Sequence, residues 1–243
     1  MSEKNSDTLF EHPLGTVPAF VFDDAVARVF PDMIERSVPG YATVVAISGM
    51  LAGEFSISGT MLYDLGCSLG AATVSMARSA APHCKVVAVD NSPAMIAQLA
   101  KILSQFDTPL PVVPRCEDVR VSEIKNASVV ALNYTLQFVA REQRDDLLAK
   151  IYAGMLEGGA LILSEKIMFE NQSDDELFVR LHHQFKRANG YSDLEISQKR
   201  EALENVLVPE SLAVHRQRLR SVGFQRVETW FQCFNFVSLI AIK

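Results

Sequence analysis

Short apolar runs alternate along this chain with longer stretches whose apolar positions return at helical spacing, so β and α elements are expected in strict succession. Five runs have strand length: 60–65, 85–90, 112–116, 128–133 and 160–165. The segments between them read as helices. Residues 70–81 are small enough to pack close to a sheet, Ser92-Pro93 supplies an N-cap and first-turn pair, and Gly158-Gly159 reads as a helix stop before the fifth strand. Alternation of this kind implies a parallel sheet with helices on both faces.

The flanks break the alternation. Residues 1–18 read as a mobile start, and 22–30 and 40–55 read as helices punctuated by Pro31 and Pro39-Gly40. Residues 166–221 are far too long for a connection and carry helical periodicity and charge, which predicts a helical insert over the site. Residues 225–231 and 234–242 read as two strands with so few residues between them that they pair antiparallel. The expectation is a single α/β domain with a mostly parallel seven-stranded sheet. Its parts are an N-terminal helical cap (1–59), a ligand-binding core (60–165), a helical insert (166–222) and a C-terminal strand hairpin (223–243).

Composition narrows the partners. With 243 residues, 49% of them hydrophobic, the chain can bury a full core. A net charge of -6 and a pI near 5.4 offer no broad basic surface for a nucleic-acid backbone, so a small-molecule substrate is favoured. Cys67, Cys84, Cys116 and Cys233 show neither metal-ligand nor disulfide-framework spacing, so no metal is expected. The first thirteen residues lack a basic region followed by an apolar one, and no stretch is long enough to span a bilayer; a cytoplasmic protein away from membranes is expected.

The chemistry is announced by Tyr63-Asp64-Leu65-Gly66-Cys67-Ser68-Leu69-Gly70, followed about twenty residues on by Val86-Val87-Ala88-Val89-Asp90. Gly66 permits the turn, Gly70 lets helix and strand approach, and Asp90 at a strand end can accept from both ribose hydroxyls of an adenosine. Ser68 stands where a dinucleotide fold wants its second glycine, which argues against NAD. Asp64, inside the first strand, fits the acid that opens motif I of S-adenosylmethionine-dependent methyltransferases. A Rossmann-like class I methyltransferase sheet, closed by a hairpin, follows.

Within that superfamily the chain resembles the carboxy-S-adenosyl-L-methionine synthases of bacterial tRNA modification. The matching stretches are Phe30 through Tyr41 (FPDMIERSVPGY), Tyr63–Gly70, Val89-Asp90-Asn91-Ser92-Pro93-Ala94-Met95 and Leu132-Asn133-Tyr134-Thr135-Leu136-Gln137-Phe138. Phe185 through Ser192 (FKRANGYS), Ser197-Gln198-Lys199-Arg200 and Trp230 through Phe236 (WFQCFNF) complete them. The resemblance implies conversion of S-adenosyl-L-methionine and prephenate to carboxy-S-adenosyl-L-methionine and phenylpyruvate, with CO2 lost from prephenate and captured by a sulfonium ylide. It also implies a homodimer, and a second enzyme, a tRNA carboxymethyltransferase, that uses the product on a wobble uridine.

Residue roles follow on the same terms. Gly66, Cys67 and Ser68 line the amino-acid half of the S-adenosylmethionine site, Cys67 as a small turn filler rather than a catalytic thiol. Asp90 binds the ribose and Asn91 frames the adenine. Asp118 accepts from the adenine amino group while the Val119 backbone reads the ring edge; a solvated loop acid is the plain alternative. Asn133 ends the fourth strand facing the ligand, and Tyr41 heads a helix that can close over it. Arg200 is the one residue expected to act directly in the chemistry. A carboxylate made beside a sulfonium needs a bidentate, non-titrating cation, although Lys199-Arg200-Glu201 alone reads as a solvated helix face. His182, His183, Lys186 and Arg187 are candidates for prephenate's second carboxylate, with His183, Lys186 and Arg187 sharing a helical face. An ordinary small-molecule methyltransferase, or a carrier of the adenosyl ligand, would share the cofactor residues without a use for Arg200.

Overall fold

Val86 to Val89 and Val129 to Leu132 are almost completely withdrawn from water. Runs apolar on both faces fit only the interior of a sheet covered on both sides. The computed structural model describes residues 5–105 and 107–243. It places β1 (Met61–Leu65), β2 (Lys85–Asp90), β3 (Val112–Cys116), β4 (Ala127–Asn133) and β5 (Met155–Met168) in parallel, with β8 (Phe236–Ile242) antiparallel to β5 and β7 (Arg226–Cys233) antiparallel to β8. The order is β3-β2-β1-β4-β5-β8-β7. A two-residue strand, β6 (Glu210–Ser211), pairs with the far end of β5 and adds to the seven strands expected.

The helices are α1 (Asp24–Ser37), α2 (Tyr41–Phe55), α3 (Ala71–Ser79), α4 (Pro93–Gln105), α5 (Arg141–Gly154), α6 (Gln172–Ala188), α7 (Asp193–Leu203) and α8 (Leu212–Val222). The strand order reverses between β1 and β4, which opens a crevice at the carboxyl ends of the strands. Among the described residues no single helix is long and apolar enough to cross a membrane.

Several expectations are corrected. Pro31 does not end a helix; α1 runs through it, because Val26, Ala27, Val29, Phe30 and Met33 form one buried stripe that spans the proline. That packing outweighs the loss of one backbone hydrogen bond. Gly158-Gly159 is not the helix stop. Helix α5 ends at Gly154, and Gly158, at φ 77°, sits in an irregularity of β5 where its register against β4 shifts.

The start of the chain is tied down rather than mobile from Asp7 onward; the first four residues of the expected mobile start lie outside the described residues. Gln198 donates to the Phe10 and His12 carbonyls (2.9 and 3.0 Å) and accepts from the Leu14 amide (2.7 Å). The insert over the site also shrinks to α6 and α7. Helix α8 packs on α5 and delivers the chain to β7 through Phe224, which is buried in the main core.

Candidate active site

The site grows from the turn after β1. Gly66 is at φ 81°, and a Cβ there would lie 2.0 Å from Thr135 Oγ1, so only glycine lets the loop after β4 approach. The turn folds back on β2: the Gly66 and Cys67 amides donate to the Val89 carbonyl (2.8 and 2.9 Å), and the Ser68 amide donates to Asp90 Oδ2 (2.9 Å). Those three N–H groups are therefore spent inside the protein. None of the three is left for a pyrophosphate, whereas the Gly66 carbonyl accepts from no donor among the described residues and remains available to an ammonium.

Asp90 is 8% exposed and also accepts from the Ser92 amide through Oδ1 (2.9 Å), so each carboxylate oxygen keeps one lone pair for a ribose hydroxyl. Asp64 is buried and accepts from Thr73 Oγ1 (2.5 Å). Burial lifts its pKa to about 6, with Asp90 adding to the rise, and burial raises Asp90 as well. Two desolvated carboxylates side by side favour a cationic ligand. Burial also raises the Cys67 thiol, with Asp64 and Asp90 adding to it, which suits a turn filler and not a nucleophile.

Asn133 is held at both ends. Its Oδ1 accepts from Ser164 Oγ (2.6 Å) and its Nδ2 donates to Ser48 Oγ (3.3 Å), which leaves one amide hydrogen for a ligand. Asp118 follows β3, and its carboxylate is gripped by Arg120, whose Nε lies 3.0 Å from both oxygens. That grip holds Asp118 below the usual carboxylate range. Tyr134, next to Asn133, is in the left-handed region at φ 56°, a strained setting for an aromatic residue.

These residues surround one cavity of about 430 Å³, the size of a nucleoside-ligand pocket. Tyr41, Gly66, Cys67, Ser68, Asp90, Asn91, Asp118, Val119 and Asn133 all line it. Arg200 does not. It is exposed on α7, whose inner face is taken by Glu195, Ile196, Gln198, Lys199 and Ala202.

The same cavity is lined by Lys166, His182, Lys186 and Lys199. On α6 the face turned to it is His182 and Lys186, not the grouping of His183, Lys186 and Arg187; Arg187 pairs with Asp193 (2.7 Å) at the surface. His182 donates from Nε2 to the Ser37 carbonyl (2.8 Å) and packs edge-on against Phe236. Burial and then Lys186 and Lys166 push its pKa down to about 2, so it is neutral. Burial and neighbouring lysines bring Lys186 down to about 7, and burial lowers Lys199 and Lys166 too. Lys166 and Lys199 were not signalled by spacing. The phase of α7 carries the clue for Lys199, which lies three residues after buried Ile196 on the same face.

The cavity thus has a carboxylate end from β1 and β2 and a lysine end from β5, α6 and α7. Among the described residues no cluster of His, Cys, Asp and Glu is placed to hold a metal ion. The fold and the carboxylate end define a class I S-adenosylmethionine-dependent methyltransferase-type protein. A methyltransferase domain family matches residues 62–159. Two solved structures share the fold. Human N-acetylserotonin methyltransferase in complex with SAM aligns with a TM-score of 0.61 at 17% identity over 99% of this chain, which spans 63% of that chain. Magnesium protoporphyrin IX methyltransferase from Synechocystis with bound SAM gives 0.57 at 15% identity, over 89% of this chain and 83% of that one.

Two relatives are far nearer in sequence. The carboxy-S-adenosyl-L-methionine synthase of Trichlorobacter lovleyi is 56% identical over 99% of both chains. That of Pasteurella multocida is 53% identical over 98% of this chain and 99% of its own. The chain belongs to the carboxy-S-adenosyl-L-methionine synthase family.

Proposed function

We propose that the protein converts S-adenosyl-L-methionine and prephenate to carboxy-S-adenosyl-L-methionine and phenylpyruvate, and that a tRNA carboxymethyltransferase uses the product on a wobble uridine. The observation that carries this reading is the two-ended cavity. Asp64, Asp90 and the Gly66 carbonyl suit a sulfonium compound with a ribose and an ammonium, while the lysines suit an acid. A simple methyl transfer to a neutral acceptor has no use for that second end.

The chemistry balances without a protein base. Prephenate loses CO2 and hydroxide as its ring becomes aromatic, the hydroxide takes a proton from the cofactor methyl, and the methyl carbon bonds to CO2. The protein's part is to hold the two reactants together and exclude bulk water. Arg200 is proposed as the partner of the new carboxylate. Being exposed and outside its own chain's cavity, it suits the cavity of a second copy in a homodimer. A cytoplasmic setting accompanies the reading.

Prephenate labelled with ¹³C in its ring carboxylate, incubated with the purified protein and S-adenosylmethionine, tests the proposal. The expected result is labelled carboxy-S-adenosylmethionine formed in step with phenylpyruvate, read by mass spectrometry. Label confined to bicarbonate defeats it, and transfer of an intact methyl group would establish the ordinary methyltransferase instead.

A further inference from the structure

Three lysines meet in the cavity from three separate elements: Lys166 on β5, Lys186 on α6 and Lys199 on α7. Lys186 and Lys199 are 8% and 5% exposed, a rare placement for lysine without paired acids. Among the described residues only Lys199 of the three has a carboxylate partner, Asp7, at 3.3 Å, and it also donates to Ser37 Oγ at 3.1 Å. Among the described residues the ammonium groups of Lys166 and Lys186 make no hydrogen bond or ion pair. Asp175 lies within electrostatic reach of Lys166, and so does Arg200, which offsets it. Asp7 is thus the one carboxylate hydrogen-bonded to any of the three lysines among the described residues.

Burying like charges together is unfavourable unless an anion completes the site. Lys166, on β5, stands three strands from Asp90 on β2, on the order of 14 Å, too far to serve a ribose held there. Between the two ends, Tyr41, Tyr134 and Phe236 form an aromatic path that leads to His182 (centroid separations 6.5, 6.0 and 4.9 Å).

We propose that Lys166, Lys186 and Lys199 form a dicarboxylate subsite that seats both carboxylates of the acidic substrate, with the Tyr134 and Phe236 rings against its carbocycle. The subsite rests on the reading of prephenate as that substrate. Asp7 and Ser37 position Lys199, while the unpartnered ammonium groups of Lys166 and Lys186 remain for the two carboxylates.

Steady-state kinetics on the full chain decide it, with prephenate varied at saturating S-adenosylmethionine. Lys166→Met and Lys186→Met should each raise the KM for prephenate about tenfold or more, while S-adenosylmethionine affinity stays within about twofold of wild type. Each should also raise the Tm of the ligand-free protein, because mutual repulsion is removed; a structural role would lower it. Should a Met variant fail to fold, Lys186→Gln supplies the same contrast with a polar side chain. An unchanged prephenate KM in the folded variants, with wild type turning over, overturns the subsite and leaves the functional reading standing. Wild type that consumes no prephenate overturns both, and shows it without any variant.

Discussion

Lys199 and Arg200 are consecutive in α7, yet one faces the cavity and the other the solvent. Lys199 is buried with its ammonium 3.3 Å from Asp7 and lines the cavity, whereas Arg200 is exposed and stands outside it. One step along a helix turns a side chain by roughly 100°, so two adjacent cations can serve two different anions.

Arg200→Leu is expected to weaken binding of carboxy-S-adenosylmethionine by about tenfold or more and to leave S-adenosylmethionine binding nearly unchanged, since only the former bears a second carboxylate, on the carbon attached to sulfur. Calorimetry with both ligands checks it. Mixed dimers of Arg200→Leu and Asp90→Ala chains add a sharper test. Activity returns in the mixture if Arg200 reaches the other copy's cavity, and does not if it serves its own.

Asp90→Ala removes an acceptor that fastens Ser68 and Ser92 and lines the cavity, where it is proposed to meet the ribose. Each charge-assisted bond lost costs about 1.5–3 kcal/mol, so S-adenosylmethionine affinity should fall by at least tenfold and thermal stability with it. Affinity equal to wild type in the folded variant would reduce Asp90 to a strand-end fastener.

Gly66→Ala places a side chain in the left-handed region and drives its Cβ into Thr135. The backbone strain is about 1–2 kcal/mol and the overlap adds a comparable penalty. Thermal melts and ligand titration should both show the loss. Adding Thr135→Ala should restore only part of it, because the overlap is relieved and the strain is not.

Glu210 ties β6 to its neighbours: it accepts from Arg144, which is wholly buried, and from Arg218 (2.7 and 2.9 Å). Burial alone would raise its carboxyl, but the bonds from Arg218 and Arg144 outweigh that and bring it down to about 2. The depressed group stabilises the fold above the unfolded carboxyl value near 4.3, and that contribution drains away as the pH falls toward 2. Urea unfolding from pH 6 to pH 3 should therefore show a steeper loss for wild type than for Glu210→Gln. At pH 7 the variant should be less stable by about 3 kcal/mol, because Arg144 keeps its charge without its partner.

Much of the core was legible in the residue pattern. The bounds of β2 and β3 match, β1 and β4 differ by one residue, and the turn at Gly66 with Asp90 at the end of the next strand came from local rules. Strand alternation, a glycine at positive φ and an acid at a strand terminus each depend on neighbours a few positions off. The helical facing in the insert did not come from such rules. Lys199 turns inward because Asp7, nearly two hundred residues earlier, is there to meet it, and Arg200 is left outward by the same rotation. Pro31 stays helical because its buried stripe finds Met95 of α4 to pack against. The start of the chain is pinned because Gln198 bonds its backbone. Each of these outcomes was settled by contacts between segments far apart in the chain, where desolvation and pairing outweigh local preference.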